Sequence, residues 1–300
     1  MPKGPSMLTR RGFTGLVAAS LASPSLRLSA MGAPGITPQF SVMVWTLNKF
    51  GTFEQSLELV AQAGYRQVEL VGEFKKWSED DYTRILAHMK TLGITVDATA
   101  GMSHGFADPM GGDAYIAELN TLIPVAKRLG CKQIIFVSGK RAEVPQPVQH
   151  QAGIDNLKRA APLLAAAGLT GVIEPIDRLE NPPIYLDGVT EAFEIVKAVG
   201  NPNMRVLYDL YHEQRSQGNL IEKLEKNIDS VGLIHIADVP GRHEPGTGEM
   251  NYDNIFRTLG RLGYKGTIAM EFYPTTAPLS TLRTAREQAI RSYAAGSKPS

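Results

Sequence analysis

From Phe40 onward the chain alternates between two kinds of segment, and this alternation constrains the fold more than any other feature. Short apolar or β-branched runs are typical of strands that are buried on both faces of a parallel sheet. Longer segments of a different character separate them. The short runs predict eight strands, at 40–45, 67–72, 95–100, 133–138, 170–175, 204–210, 231–239 and 266–273.

The longer segments repeat apolar residues with a period near 3.6, which indicates amphipathic helices. They predict helices at 53–63, 79–91, 114–128, 150–166, 188–198, 219–228, 252–262 and 279–295. Many of them stop at a glycine, the residue that most easily adopts the positive φ found just beyond a helix end. These glycines are Gly64, Gly93, Gly130, Gly168, Gly200 and Gly263.

Eight strand–helix units in about 255 residues match the size of a single (β/α)8 TIM barrel. The alternative is a doubly wound open sheet, which normally has a glycine-rich phosphate-binding turn after its first strand. Here the first predicted strand ends in Trp45-Thr46-Leu47-Asn48, without such a turn. No change of composition marks a second domain. The sequence therefore predicts one α/β barrel over residues 40–300.

The N-terminal segment differs from the rest. No Asp or Glu occurs before Glu54, and a weakly apolar stretch at 13–26 is followed by small residues at 29, 30, 32 and 33. This is the order of regions in a secretory signal. The basic residues of the first 39 positions are Lys3, Arg10, Arg11 and Arg27.

The run Thr9-Arg10-Arg11-Gly12-Phe13 resembles the twin-arginine export signal. We therefore expect a removed signal at 1–33, a linker at 34–39, and transient binding to the twin-arginine export machinery. This predicts a periplasmic or exported protein. A disordered basic tail is the alternative interpretation.

Charge and cysteine content exclude several classes of protein. The chain has 31 Lys+Arg and 30 Asp+Glu. Without the first 39 residues the balance is 27 against 30, a net charge of −3. Nucleic-acid binding needs clustered excess cations, so we expect no nucleic-acid partner. One cysteine cannot form an internal disulfide. The sequence has no run of about 18 apolar residues, so it predicts no ordinary membrane span. Whether the chain forms a homo-oligomer stays open.

Four consecutive predicted strands carry an ionisable residue near the C-terminal end. In TIM barrels these strand ends share one face, which holds the catalytic groups. The four residues follow one another at intervals of 35, 26 and 36 positions, about one strand–helix unit each, so we expect them to surround one point. They are Glu174, Asp209, His235 and Glu271.

This set offers hard oxygen donors and one imidazole, which suits Mn²⁺ or Mg²⁺ better than a structural zinc site. Buried carboxylates without a compensating cation would be costly. The sequence therefore predicts a divalent metal ion as cofactor. The alternative is that an arginine, a lysine or a backbone amide satisfies each of the four residues separately.

Two further residues are candidates for substrate binding. His212 follows Asp209 by three positions, and capping or support of the site is its alternative role. Arg242 lies in the loop after the seventh strand, where it could hold a substrate carboxylate with two parallel hydrogen bonds. A salt bridge with Glu244 is the alternative role for Arg242.

The segment 237–252, Ala-Asp-Val-Pro-Gly-Arg-His-Glu-Pro-Gly-Thr-Gly-Glu-Met-Asn-Tyr, resembles the hydroxypyruvate isomerase family of the xylose isomerase-like barrel superfamily. The similarity covers the C-terminal half of the chain, and the long loop motif is its most specific part. Further matches are Ile173-Glu174-Pro175-Ile176, Tyr208-Asp209-Leu210-Tyr211-His212-Glu213-Gln214 and Glu271-Phe272-Tyr273-Pro274.

The resemblance implies that Glu174 and Glu271 are the catalytic pair, and that Glu174, Asp209, His235 and Glu271 are the metal ligands. The implied activity is metal-assisted aldose–ketose isomerisation through an enediolate, with hydroxypyruvate and tartronate semialdehyde as the reacting pair. The small hydroxy-carbonyl or sugar substrate is the expected partner.

Three alternatives remain at this stage. Hydroxypyruvate isomerases commonly have Gln where this chain has His235, and histidine there is similar to the ketose 3-epimerases of the same superfamily. A 3-epimerase acting on free sugars is therefore the second hypothesis. A non-catalytic sugar-acid-binding barrel is the third. A nuclease of this superfamily is the least favoured alternative, because it would show more metal-ligating histidines than this chain, which has six histidines in all, and a basic surface for DNA.

Overall fold

The computed structural model describes residues 38–298, and within them eight parallel strands close into a barrel in sequence order. This confirms the predicted (β/α)8 fold. The predicted export signal and linker residues 34–37 lie outside the described residues. The strands are β1 (Gln39–Met43), β2 (Gln67–Val71), β3 (Thr95–Ala100), β4 (Gln133–Val137), β5 (Thr170–Glu174), β6 (Met204–Asp209), β7 (Val231–Ile236) and β8 (Thr267–Met270).

Helices cover the outside of the barrel. In the described residues they are α1 (Phe53–Gln62), α2 (Glu79–Leu92), α3 (Gly112–Leu129), α4 (Gln146–Ala167), α5 (Val189–Val199), α6 (Leu210–Ser216), α7 (Leu220–Asn227), α8 (Tyr252–Arg261) and α9 (Pro278–Gly296). Short 3-10 helices occupy Val44–Phe50, Glu73–Lys76 and Ile228–Ser230. None of the helices in residues 38–298 is both long and apolar enough to cross a membrane.

Local signals explain where several helices begin and end. Thr52 and Ser78 form capping boxes at the starts of α1 and α2, so that the first free N–H groups of each helix have acceptors. All six glycines expected at helix ends have a positive φ. They support the predicted order of strand, helix and glycine.

The structure corrects some predicted boundaries. β1 begins at Gln39, one residue early, and ends at Met43, because the chain continues as a 3-10 helix. β7 and β8 end three residues before the predicted ends, where the chain leaves the barrel wall as loops. α6 was not predicted, because seven residues are too few to show helical periodicity.

The inside of the barrel is filled by alternate side chains of the strands. An apolar layer lies in the middle and comprises Met43, Ala98, Ile135, Val172, Leu207, Leu233 and Ala269. Because side chains two positions apart point to the same face of a strand, the residues that follow this layer by two positions also face inward. On β5 to β7, and directly after β8, those positions are Glu174, Asp209, His235 and Glu271.

Candidate active site

The four strand-end residues meet at the C-terminal end of the barrel. One ligand atom from each of Glu174, Asp209, His235 and Glu271 lies within 4.8 Å of the others. All four residues are buried, with at most 8% of their surface exposed. The structure therefore brings together the residues that the strand-end pattern grouped, including both predicted catalytic glutamates.

His235 lies between two carboxylates. Its Nδ1 is 2.7 Å from Glu271 Oε2, and its Nε2 is 2.8 Å from Glu69 Oε2. Glu69 belongs to β2 and is completely buried. Burial alone would lower the pKa of His235, but the two carboxylates raise it well above its usual value. The strand-end pattern did not single out Glu69, because this residue lies in the middle of its strand.

Arg242 reaches the same group of residues from the loop after β7. Its Nη2 lies 2.8 Å from Glu271 Oε2 and 3.4 Å from Asp209 Oδ2. Its Nη1 lies 2.5 Å from Oε1 of Glu180, whose side chain is 39% exposed. The expected alternative partner, Glu244, instead binds Thr275. Arg242 is therefore a buried cation of the site, with one edge facing a carboxylate at its mouth.

The loop that carries Arg242 is organised by Asp238, which is fully buried. Its Oδ1 accepts backbone N–H groups at 2.9 and 3.0 Å, and its Oδ2 accepts two more at 2.8 and 3.0 Å. The donors are Val239 and Met250 for Oδ1, and Gly246 and Gly248 for Oδ2. Arg242 itself has a φ of 57°, which the surrounding loop maintains.

His212 belongs to the same site. It lies in α6, whose first turn is capped by Asp209 through the N–H groups of Tyr211 and His212. The Nδ1 of His212 is 2.7 Å from Asp177 Oδ2. Its Nε2 faces Asp209 at 3.5 Å and Glu174 at 3.9 Å. Asp177 therefore orients the ring, a role that no sequence pattern indicated because the two residues are 35 positions apart.

The two glutamates have different electrostatic surroundings. Burial, together with the nearby charge of Glu271, raises the pKa of Glu174 to about 7. Burial acts on Glu271 in the same direction, but Arg242 and His235 hold the pKa of Glu271 well below its usual value. Environments that separate two carboxyl groups in this way suit a division between acid and base.

The donor set fits a divalent cation. Three carboxylates and one imidazole converge on one point, and all are buried. Carboxylate oxygens and imidazole are ligands that Mn²⁺ and Mg²⁺ sites accept. Glu69, behind His235, supplies the kind of outer carboxylate that commonly orients a metal-binding histidine. These residues could therefore hold the predicted ion.

Comparison with known proteins identifies the family. The model of the xylose isomerase-like TIM barrel family matches residues 57–293. The chain belongs to this family. It is 31% identical over 242 residues to the hydroxypyruvate isomerase of Escherichia coli K12, covering 78% of this chain and 93% of that protein. It is 30% identical over 254 residues to the 2-oxo-tetronate isomerase of Cupriavidus necator, covering 82% and 98%.

Solved structures agree with this assignment. The crystal structure of an AP endonuclease of family 2 from Brucella melitensis is similar, with a TM-score of 0.76 and 28% identity. The match covers 82% of this chain and 97% of that one. The two curated relatives are named as isomerases, and this chain is an isomerase, as predicted.

Proposed function

We propose that the protein interconverts hydroxypyruvate and tartronate semialdehyde by metal-assisted aldose–ketose isomerisation. The observation that carries this proposal is the convergence of Glu174, Glu271 and a buried Arg242 at one end of the barrel. Two relatives that cover most of the chain have the names of sugar-acid isomerases, which supports the same class of substrate.

The reaction moves one proton between adjacent carbons. One of the two glutamates takes the C3 proton of hydroxypyruvate, and the other glutamate protonates the resulting enediolate at C2, while the hydroxyl proton passes from O3 to O2. A proton then returns from the first glutamate to the second, which restores both groups for the next turnover. A divalent ion held by Glu174, Asp209, His235 and Glu271 would supply Lewis-acid stabilisation of the negative charge on the enediolate oxygens.

Arg242 and His212 bind the substrate in this proposal. The Nη1 edge of Arg242 already faces the half-exposed carboxylate of Glu180, so a substrate carboxylate can replace Glu180 there. The His212 ring is fixed by Asp177, and its Nε2 points toward Glu174 and Asp209, where it can hydrogen-bond a substrate oxygen.

A specific observation favours a second candidate, a ketose 3-epimerase. Histidine at position 235 is similar to that group, and an epimerase uses the same metal ligands and glutamate pair without needing a carboxylate clamp. A third candidate, a non-catalytic sugar-acid-binding barrel, needs no proton transfer. Ligand binding that persists in Glu174→Gln and Glu271→Gln, without turnover in the parent protein, would identify it.

Proton exchange in D₂O tests the reaction class. Hydroxypyruvate, a 2-oxo-tetronate and several free ketoses are each incubated with the protein, with and without Mn²⁺ or Mg²⁺. We expect metal-dependent deuterium incorporation into the carboxylate substrates. Exchange at C3 of free ketoses alone would show the epimerase instead. No metal-dependent exchange with any compound would contradict the isomerase proposal.

Arg242→Ala tests the clamp. Loss of a buried charge-assisted pair costs about 2–5 kcal/mol, so we expect kcat/KM for hydroxypyruvate to fall by a factor of about 30 or more. Exchange of dihydroxyacetone, which has a hydroxymethyl group in place of the carboxylate, should also slow, because Arg242 contacts the catalytic Glu271, but by a smaller factor. Arg159→Ala is the matched control, because Arg159 pairs with the exposed Asp113 outside the site. Equal losses on both substrates would contradict the clamp.

We also propose that residues 1–33 direct export through the twin-arginine route. The support is the order of basic, apolar and small residues around Arg10 and Arg11. Arg10→Lys combined with Arg11→Lys should retain the full-length chain in the cytoplasmic fraction, whereas the parent should appear shortened in the periplasm. Equal distribution of both proteins would contradict this proposal.

A further inference from the structure

We propose that Glu69 is a positioning residue, which fixes the orientation and tautomer of His235 and thereby sets the affinity of the site for a divalent cation. This inference rests on the proposed metal site. It concerns a residue on β2, outside the set of strand-end ligands on β5 to β8.

Packing alone does not account for a glutamate at this position. Glu69 is completely buried next to the apolar layer of the barrel. Within residues 38–298, its Oε1 has no hydrogen-bond partner, and Oε2 bonds only to His235. A buried carboxylate that is half satisfied costs free energy, so apolar residues in place of both Glu69 and His235 would serve stability better. The one specific interaction that the Glu69 side chain makes is the bond to His235.

That bond determines which ring nitrogen faces the site. A histidine that binds a cation is neutral and keeps its single hydrogen on the nitrogen that points away from the ion. Because Glu69 accepts a hydrogen bond from Nε2, the hydrogen stays on Nε2 when a cation binds, which leaves the lone pair of Nδ1 for the cation. Nδ1 lies on the side of Glu271, 2.7 Å from its Oε2, where the other proposed ligands converge.

The barrel geometry makes the role of Glu69 specific. β2 and β7 are separated by β8 and β1, so the His235 ring spans the interior from one wall toward the other. Asp97, on β3, is also a buried acid near this region, but its side chain bonds to Gln67 and Gln133 rather than to His235. Asp97 therefore provides a matched control: a nearby buried charge without the hydrogen bond.

The experiment is titration of Mn²⁺ into the metal-free protein, followed by calorimetry. The variants are Glu69→Met, which has no acceptor, and Glu69→Gln, whose amide oxygen can still accept from Nε2. We expect affinity to fall by about 10–100-fold in Glu69→Met and by less in Glu69→Gln, since loss of an outer carboxylate commonly has this effect. Asp97→Asn should change the affinity less than either variant.

Stability separates positioning from a structural role. In Glu69→Met the buried Nε2–H of His235 loses its acceptor, so this metal-free variant should unfold at a lower urea concentration than the parent. If Glu69 acts by positioning, metal-free Glu69→Gln, which keeps an acceptor, should unfold near the urea concentration of the parent although it binds Mn²⁺ more weakly. Parent-like Mn²⁺ affinity in both Glu69 variants would overturn the inference and leave the metal site intact. Absence of Mn²⁺ and Mg²⁺ binding in the parent would instead overturn the proposed metal site, and this inference with it.

Discussion

Replacing Asp238 by Asn should open the loop that carries Arg242. Each carboxylate oxygen of Asp238 accepts two backbone N–H groups, and the side chain is fully buried. Asparagine has nearly the same shape but only one oxygen. In either orientation of the amide, two N–H groups keep an acceptor and the other two face the NH₂ group.

The magnitude follows from these four bonds. A hydrogen bond to a charged acceptor contributes about 1.5–3 kcal/mol, so losing two destabilises the closed loop by about 3–6 kcal/mol. Because loops can open without global unfolding, we expect most of this loss as local opening of residues 239–250. A 3 kcal/mol change corresponds to amide exchange that is about 100-fold faster. Misplacement of Arg242 should also lower kcat/KM for hydroxypyruvate.

Hydrogen–deuterium exchange followed by mass spectrometry measures the opening directly. Asp113→Asn is the matched control, because Asp113 makes an exposed ion pair with Arg159 and its removal should change stability by less than about 1 kcal/mol. Exchange of residues 239–250 within a few-fold of the parent in Asp238→Asn, together with unchanged turnover, would refute the reasoning.

Two further predictions concern stability, measured by urea unfolding. Tyr115→Phe should stabilise the fold by about 1–2 kcal/mol, because the buried Tyr115 hydroxyl has no partner within residues 38–298. Tyr252→Phe removes a 2.7 Å hydrogen bond to a backbone carbonyl and should destabilise the fold. A loss of stability in both variants would contradict the first prediction. Burial would raise the pKa of Glu118, but N–H donors of Ser103 and His104 lower it to about 2. The Glu118 carboxylate should therefore add about 1–2 kcal/mol to the free energy of unfolding relative to Glu118→Gln. This contribution should be complete above the usual pKa of 4.5 and diminish as the pH falls toward 2. A difference between parent and Glu118→Gln that stays constant from about pH 6 to 3 would contradict the second prediction.

Most of the barrel could be predicted because its units are local. A buried parallel strand and an amphipathic helix each leave a periodic pattern within a short window of sequence, and a glycine often marks the end of a helix. The predicted boundaries failed where that pattern continued past the element. The residues after Ile236 and Met270 are still partly apolar, yet they belong to loops that converge on the site.

The site could be predicted only in part. Glu174, Asp209, His235 and Glu271 were recoverable because a barrel brings the C-terminal ends of consecutive strands to one face. The partners behind them left no comparable pattern. Glu69 bonds to a residue 166 positions away, and Glu180 to one 62 positions away.

The sequence by itself determined the alternating units, their number and the polar residues at the strand ends, because hydrophobic periodicity and side-chain parity are properties of neighbouring residues. Only the tertiary structure decided that His235 lies between Glu69 and Glu271, and that Arg242 faces Glu180 rather than Glu244. These pairings depend on closure of the barrel and on the path of the loop after β7. Barrel closure and the path of this loop bring charged groups from distant positions within hydrogen-bond distance of one another. Burial then makes these pairings necessary, because a buried charge without a partner is costly.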